Sequence, residues 1–272
     1  MKKLFLLVVV FFSGVALAQP IDGVTIIIQS ARIPPEEVPD FATTLEREID
    51  GLYLEGNYSQ ALEKARYFMI LGLLHNNELL QAHYELFSAR ALSRQGKFQE
   101  AFIHLAQAYP IYTKLHHEQY QFLALETLVR VATNLNYWEE AQNYLTELEK
   151  LAQHLKGMYQ EMYLFHLGVM HFHENRFGEA RKDWEEAEKE AVFYPETRGL
   201  TLNHMSRVFL QEENPEKVLE YAQRALSFST GRNLRWVELV VRLNLAQILS
   251  EYLGEEDTSG RKMKPSNTFG LL

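Results

Sequence analysis

The chain has 272 residues, no cysteine, and 36 acidic against 27 basic residues, a formal net charge of −9. Such an acidic balance argues against nucleic acid and anionic lipid as partners, because a basic face supplies most of the affinity for either. The lack of cysteine excludes a disulfide framework, a lipid-modified cysteine and a thiol nucleophile.

Residues 1–18, MKKLFLLVVVFFSGVALA, carry a basic start at Lys2 and Lys3, an apolar run from Leu4 to Phe12, and small residues at Ala16 and Ala18. That layout predicts a secretory signal cleaved after Ala18. The run falls short of the roughly 20 residues that a bilayer span needs, which disfavours its alternative role as a retained anchor. Cleavage leaves 25 basic against 36 acidic residues, a net charge of −11. The expected location is the periplasm or the medium of a bacterium, with no stable membrane span after cleavage.

Residues 19–40 form a lead-in. VTIII, residues 24–28, is β-branched, and the prolines of RIPPEEVPD argue against helix, so an extended segment is expected, with Asp40 as N-cap of the first helix.

From there a short motif recurs: GNYSQA (56–61), GKFQEA (96–101), NYWEEA (136–141), NRFGEA (175–180) and ENPEKV (213–218). Its last residues, Ala61, Ala101, Ala141, Ala180 and Val218, are spaced by 40, 40, 39 and 38 residues. Gly56, Gly96, Asn136 and Asn175 are residue types that tolerate the left-handed backbone at a helix end. A ring follows two positions later, at Tyr58, Phe98, Trp138 and Phe177, with Pro215 in the fifth unit. The small anchor lets two helices approach closely. Four and seven residues beyond it, Ala65 and Phe68, Leu105 and Ala108, Leu145 and Leu148, Trp184 and Ala187, and Ala222 and Ala225 continue one apolar helix face. Twelve residues before the anchor stand Ala89, Val129, Gly168 and Ser206, compact positions where the first helix meets its partner.

The pattern predicts first helices near 41–55, 77–95, 118–134, 157–174 and 196–212. Second helices fall near 58–73, 98–115, 138–155, 177–193 and 215–229. Pro110 is expected to kink or shorten one of these. Residues 235–254 read as a final helix that caps the stack, and residues 255–272 as a disordered polar tail.

Over residues 41–254 the glycine-x-aromatic-x-x-alanine turn, the small residue twelve back and the alanine-rich second helix resemble the tetratricopeptide repeat family. The period of about 39 exceeds the 34 residues usual for that family, as in its extended repeats. The resemblance implies an all-α, right-handed α-solenoid of five helix pairs and a capping helix. It further implies a concave groove on the first helices, at positions eleven and seven before the anchor: Arg90 and Arg94, Arg130 and Asn134, Val169 and His173, Arg207 and Gln211. One turn earlier come Leu86, Glu126, Phe165 and Asn203, with Met162 beside Phe165. The partner-binding groove is therefore expected at Arg90, Arg94, Arg130, Asn134, Met162, Phe165, His173, Asn203, Arg207 and Gln211.

Two readings of that stripe compete. Arginines on exposed faces are ordinary solubilising residues, pairing weakly with acids such as Glu126. Alternatively, the row holds carboxylates or carbonyls of an acidic peptide through forked hydrogen bonds. The family's carboxylate clamp is not reproduced residue by residue. No phosphate-binding glycine loop, GxSxG or HExxH motif is present, so no enzyme, cofactor or catalytic residue is expected. His166, His171 and His173 lie on one helix at spacings that do not converge on a metal, and His204 on a neighbour adds no ligand motif. The expectation is a non-catalytic scaffold binding a protein or peptide. Its rival is a receptor whose repeats close around a small molecule or signalling peptide, with a pocket around Phe165, His166 and His204.

Overall fold

The structure, a computed structural model, describes residues 26, 30–190 and 195–254. Eleven α-helices follow one another among the described residues: α1 (Val38–Leu54), α2 (Tyr58–Leu74), α3 (Glu78–Arg94), α4 (Phe98–Lys114), α5 (Glu118–Asn134), α6 (Trp138–Leu155), α7 (Met158–His173), α8 (Phe177–Glu190), α9 (Pro195–Gln211), α10 (Pro215–Gly231) and α11 (Arg235–Gly254). Each packs against the next. The odd-numbered helices also touch one another in succession from α1 to α11. They form a continuous layer, flanked by the even-numbered helices. This is an all-α helical-repeat solenoid.

The linkers explain the period. Helices α1 to α5 are 17 residues long and are joined by three residues, so the backbone repeats every 20 and two such steps make the 40-residue unit. After α1, the Gly56 amide donates to the Tyr53 carbonyl (3.1 Å) and the Asn57 amide to the Leu52 carbonyl (2.8 Å), the paired bonds of a Schellman cap. Asn57 in turn offers its own carbonyl to the Ala61 amide, so one residue ends α1 and starts α2. The same paired bonds close α3, α4, α5, α7, α9 and α10.

The left-handed residue at these ends is Gly56, Asn76, Gly96, His116, Asn136, Asn175, Glu213 or Asn233. Glycine adopts that conformation without penalty and asparagine with little, whereas His116 and Glu213 are held there by the cap bonds around them. The junction between α6 and α7 differs. Lys156 and Gly157 both have positive φ, and α6 is one residue longer than α5 and two longer than α7.

The repeat face is the core. All five anchors, Ala61 to Val218, and all ten residues four and seven positions beyond them are buried to 1 % exposure or less. Enclosing a large aliphatic or aromatic side chain this fully contributes about 1.5–3 kcal/mol. One pair shows how the repeats compensate. Trp184 occupies a position that holds alanine or leucine in the other units, and the facing residue is Gly168. A β-carbon there would lie 2.4 Å from the Trp184 Nε1 atom, which itself donates to the Phe165 carbonyl at 3.0 Å.

Three expectations need correction. Helix α1 begins at Val38 with Glu37 as its N-cap, not Asp40. Pro39 sits in the first turn, where its missing N–H has no intrahelical partner to lose, and Asp40 follows where its charge suits the helix dipole. Second, Ile26 and Ser30 are helical and buried rather than extended, so the β-branched run was a poor guide. Third, α4 runs unbroken through Pro110. That residue is exposed, so water can bond the carbonyl it leaves unpaired. The signal segment, residues 19–25 and 27–29 of the lead-in, and the tail lie outside the described residues. No helix among the described residues is long and apolar enough to cross a membrane.

Candidate binding site

Seven to eleven residues before each anchor, the first helices bring their polar residues to the inner layer. There two neighbouring cavities share Val169 and His204 as a common wall.

The first cavity, about 90 Å³, is lined by α3, α5, α7, α9 and the starts of α4 and α11. It contains Arg90, Arg94, Arg130, Asn134, Met162 and Phe165 of the expected groove. At its centre is Glu126, a buried carboxylate. Its Oε1 atom accepts from Arg130 Nη1 at 3.2 Å and from His166 Nε2 at 3.0 Å. Burial alone would raise the Glu126 carboxyl, but Arg130, the His166 bond and Arg94 together hold it well below the usual carboxylate range. Burial likewise lowers the Arg130 guanidinium, and Glu126 opposes that effect.

The arginine row is thus not a bare basic stripe. Arg130 pairs with Glu126, Arg90 Nη1 lies 3.1 Å from Asp50 Oδ1, and Arg94 Nη2 lies 2.7 Å from Glu196 Oε2. The last pair joins residues 102 apart in sequence, and its side chains are only 11 % and 8 % exposed. Arg94 also stacks on Trp236, its Cζ 4.0 Å from the ring centroid. Helices α3, α9 and α11 therefore meet at one guanidinium, and the groove is bridged rather than open. Even so, four buried polar atoms of the lining have no hydrogen-bond partner: Arg94 Nη1, Arg130 Nε, Asn134 Oδ1 and His204 Nδ1.

The second cavity is larger, about 270 Å³, and takes in His173, Arg207 and Gln211. His173 stacks on Trp138 with ring centroids 3.4 Å apart and planes 7° from parallel. Arg207 lies over Phe172 at 5.0 Å, and burial lowers its guanidinium to about 10, which leaves it charged at neutral pH. Asn203 is the one expected residue that lines neither cavity. It is buried and accepts from Asn244 Nδ2 at 3.0 Å.

The expected residues are therefore split between two pockets. Spacing alone missed Glu196, Trp236 and Asn244, which come from helix starts or from the capping helix and carry no local signal. Trp138 and Phe98 occupied the ring position of the repeat motif and also line cavities. Their recurrence was visible, but not their place. The histidines are engaged separately: His166 with Glu126, His171 with Asp183 at 2.5 Å, and His173 with Trp138.

A helical-repeat solenoid with two polar and aromatic inner cavities is the class that fold and site define. No protein-family model matches the chain, and no curated protein matches it at a significant level.

Proposed function

We propose that the chain is an exported, non-catalytic binding protein of tetratricopeptide type that encloses a short peptide segment or compact ligand on its inner face. The observation carrying this reading is the set of four unpartnered polar atoms around the first cavity. A buried donor or acceptor without a partner costs about 1–3 kcal/mol. These atoms are sealed from solvent in this conformation, so a guest reaches them, and recovers that cost, only when the surrounding side chains shift. Two arginine donors, one amide acceptor and an apolar side formed by Met162, Phe165 and Leu200 suit a guest with one acidic or carbonyl-bearing end and an apolar body. The cavity holds only about three water volumes, since a liquid water occupies about 30 Å³. A longer guest therefore requires the Arg94–Glu196 bridge to open. This favours the receptor reading over a permanently open scaffold.

The test is a photo-reactive residue placed at Leu123 on the cavity wall or at exposed Ile103 on α4, with the secreted protein irradiated in its own cells. One adduct mass at position 123 that is missing at 103 and lost in the Asn134→Leu variant supports the reading. Equal capture at both positions, or capture indifferent to Asn134→Leu, rejects it.

A further inference from the structure

We propose that Arg94, Glu196 and Trp236 form a latch that holds the solenoid closed over the first cavity, and that the carboxylate of a guest releases it by taking the place of Glu196 on Arg94. Release by a guest rests on the binding reading above; the latch itself stands on the geometry of the unliganded chain.

The latch differs from the contacts that build the repeats. It joins residues 102 apart, more than two full units. Helix α3 packs against α1, α2, α4 and α5, and α9 packs against α7, α8, α10 and α11. The two helices therefore meet through long side chains rather than through interlocked helix faces. Parting them leaves the packing inside every repeat intact. Curvature in a solenoid is the sum of small rotations between repeats, so one tie across the inner face biases all of them.

Each member is placed to hold. Glu196 Oε2 accepts from Arg94 Nη2 at 2.7 Å between two buried side chains, where salt screens little. The Arg94 guanidinium also lies over the Trp236 ring, whose face attracts a cation. Trp236 is the second residue of α11, so the helix that ends the stack also fastens it to α3. All three residues line the first cavity and limit its width.

Exchange of one carboxylate for another is chemically even. Arg94 keeps a charge-assisted bond, and the freed Glu196 stays in the first turn of α9, where the helix dipole favours negative charge. A guest held on α3 no longer ties α9, so exchange moves the two apart. A neutral amide offers no such replacement.

The chain has no cysteine, so spin labels attach only where one is introduced. Labels at exposed Gln107 on α4 and Gln223 on α10 report the separation of the two flanks by electron–electron dipolar spectroscopy. Glu196→Ala and Trp236→Leu should each lengthen the mean distance by more than about 3 Å, beyond the roughly 1–2 Å of an ordinary helix shift, with far-UV helicity unchanged. Glu48→Ala, which breaks an exposed pair with Lys64, should leave it as it is. Millimolar N-acetyl-leucine should lengthen the wild-type distance and N-acetyl-leucinamide should not.

Should Glu196→Ala lose helicity, Trp236→Leu, at a half-buried residue, decides. An unchanged distance in the folded variants overturns the latch. Lengthening by acid and amide alike, or by neither, overturns release by exchange. The variants are read without a guest, so a distance that lengthens in them while photo-capture at position 123 fails rejects the guest and keeps the latch.

Discussion

Among the described residues, two buried polar clusters contrast: the one around Glu126 borders a cavity, and the one around His83 is closed by its own hydrogen bonds. In the N-terminal repeats, His83 Nδ1 shares a hydrogen bond with the Tyr112 hydroxyl at 2.9 Å, and Nε2 lies 3.6 Å from Glu46. Tyr120 donates to the Glu46 carboxylate at 2.7 Å, and its ring centroid lies 4.3 Å from that of His83. The protein itself supplies the partners. Around Glu126, one helical pair further along the inner layer from His83, the arginine, histidine and carboxylate side chains are also buried, yet four polar atoms of the lining residues remain unanswered. Buried charge is therefore a poor marker of a site in this fold. Empty space combined with unmet hydrogen bonding distinguishes a binding cavity from a polar piece of the core.

The contrast is open to direct attack, most severely at Glu126. Glu126→Gln leaves the Arg130 guanidinium buried without its counter-ion, and urea unfolding should show a loss of about 3–5 kcal/mol. The double change Glu126→Leu with Arg130→Met should restore much of that loss, because a matched apolar pair has no charge to desolvate. Restoration without recovery of guest capture would separate stability from function at this position.

Acid offers the next largest effect. Burial lowers the His83 imidazole to about 3, with His117 adding to the effect, so the folded protein resists a proton that the unfolded chain takes up near pH 6.5. The contribution is neutral above 6.5 and becomes destabilising as pH falls from there towards 3. Between pH 7 and pH 5 it should amount to about 2 kcal/mol. Burial, followed by Arg207 and His166, lowers His204 in the same direction, so the second cluster adds its own acid sensitivity. Urea midpoints for His83→Gln and His204→Gln at pH 7 and pH 5 apportion the loss. A wild type equally stable at both pH values would mean that both imidazoles are protonated in the folded state.

The smallest effects compare the clusters most sharply. Tyr112→Phe removes a partner from His83 and should cost about 1–2 kcal/mol. Asn134→Leu removes an acceptor that has no partner together with the Nδ2 bond to the Arg130 carbonyl at 2.8 Å; the two effects oppose each other, so the net cost to the unliganded protein should stay below about 1 kcal/mol while capture is abolished. Equal costs for the two substitutions would show that the Asn134 carbonyl is already satisfied, and the candidate site would lose its main support.

Much of the architecture was legible because it is local. A helix end that needs left-handed backbone accepts Gly56, Gly96, Asn136 or Asn175, and an anchor such as Ala101 must be small where two helices cross. These demands recur every 40 residues, so repetition singled them out from background. The turns at His116 and Glu213 were placed by the period, but their left-handed residues were not legible, because there the cap hydrogen bonds override residue preference. The site was half legible. Helical spacing placed Arg90 with Arg94 and Arg130 with Asn134 on shared helix faces, the resemblance to tetratricopeptide repeats implied that those faces look inward, and the structure brings all four to one cavity.

Sequence by itself determined the period, the helix boundaries to within a few residues and the buried stripe. Each of these depends on contacts within one repeat or between neighbours. Only the tertiary structure decided that Arg94 meets Glu196 and Trp236, that Arg207 falls into a different cavity from Arg130, and that Asn203 faces Asn244. Those outcomes depend on the small rotation added at every helix pair, which accumulates over three repeats until side chains 102 residues apart touch. No single repeat encodes that sum, so a local pattern can announce the buried stripe but not what closes across the inner face.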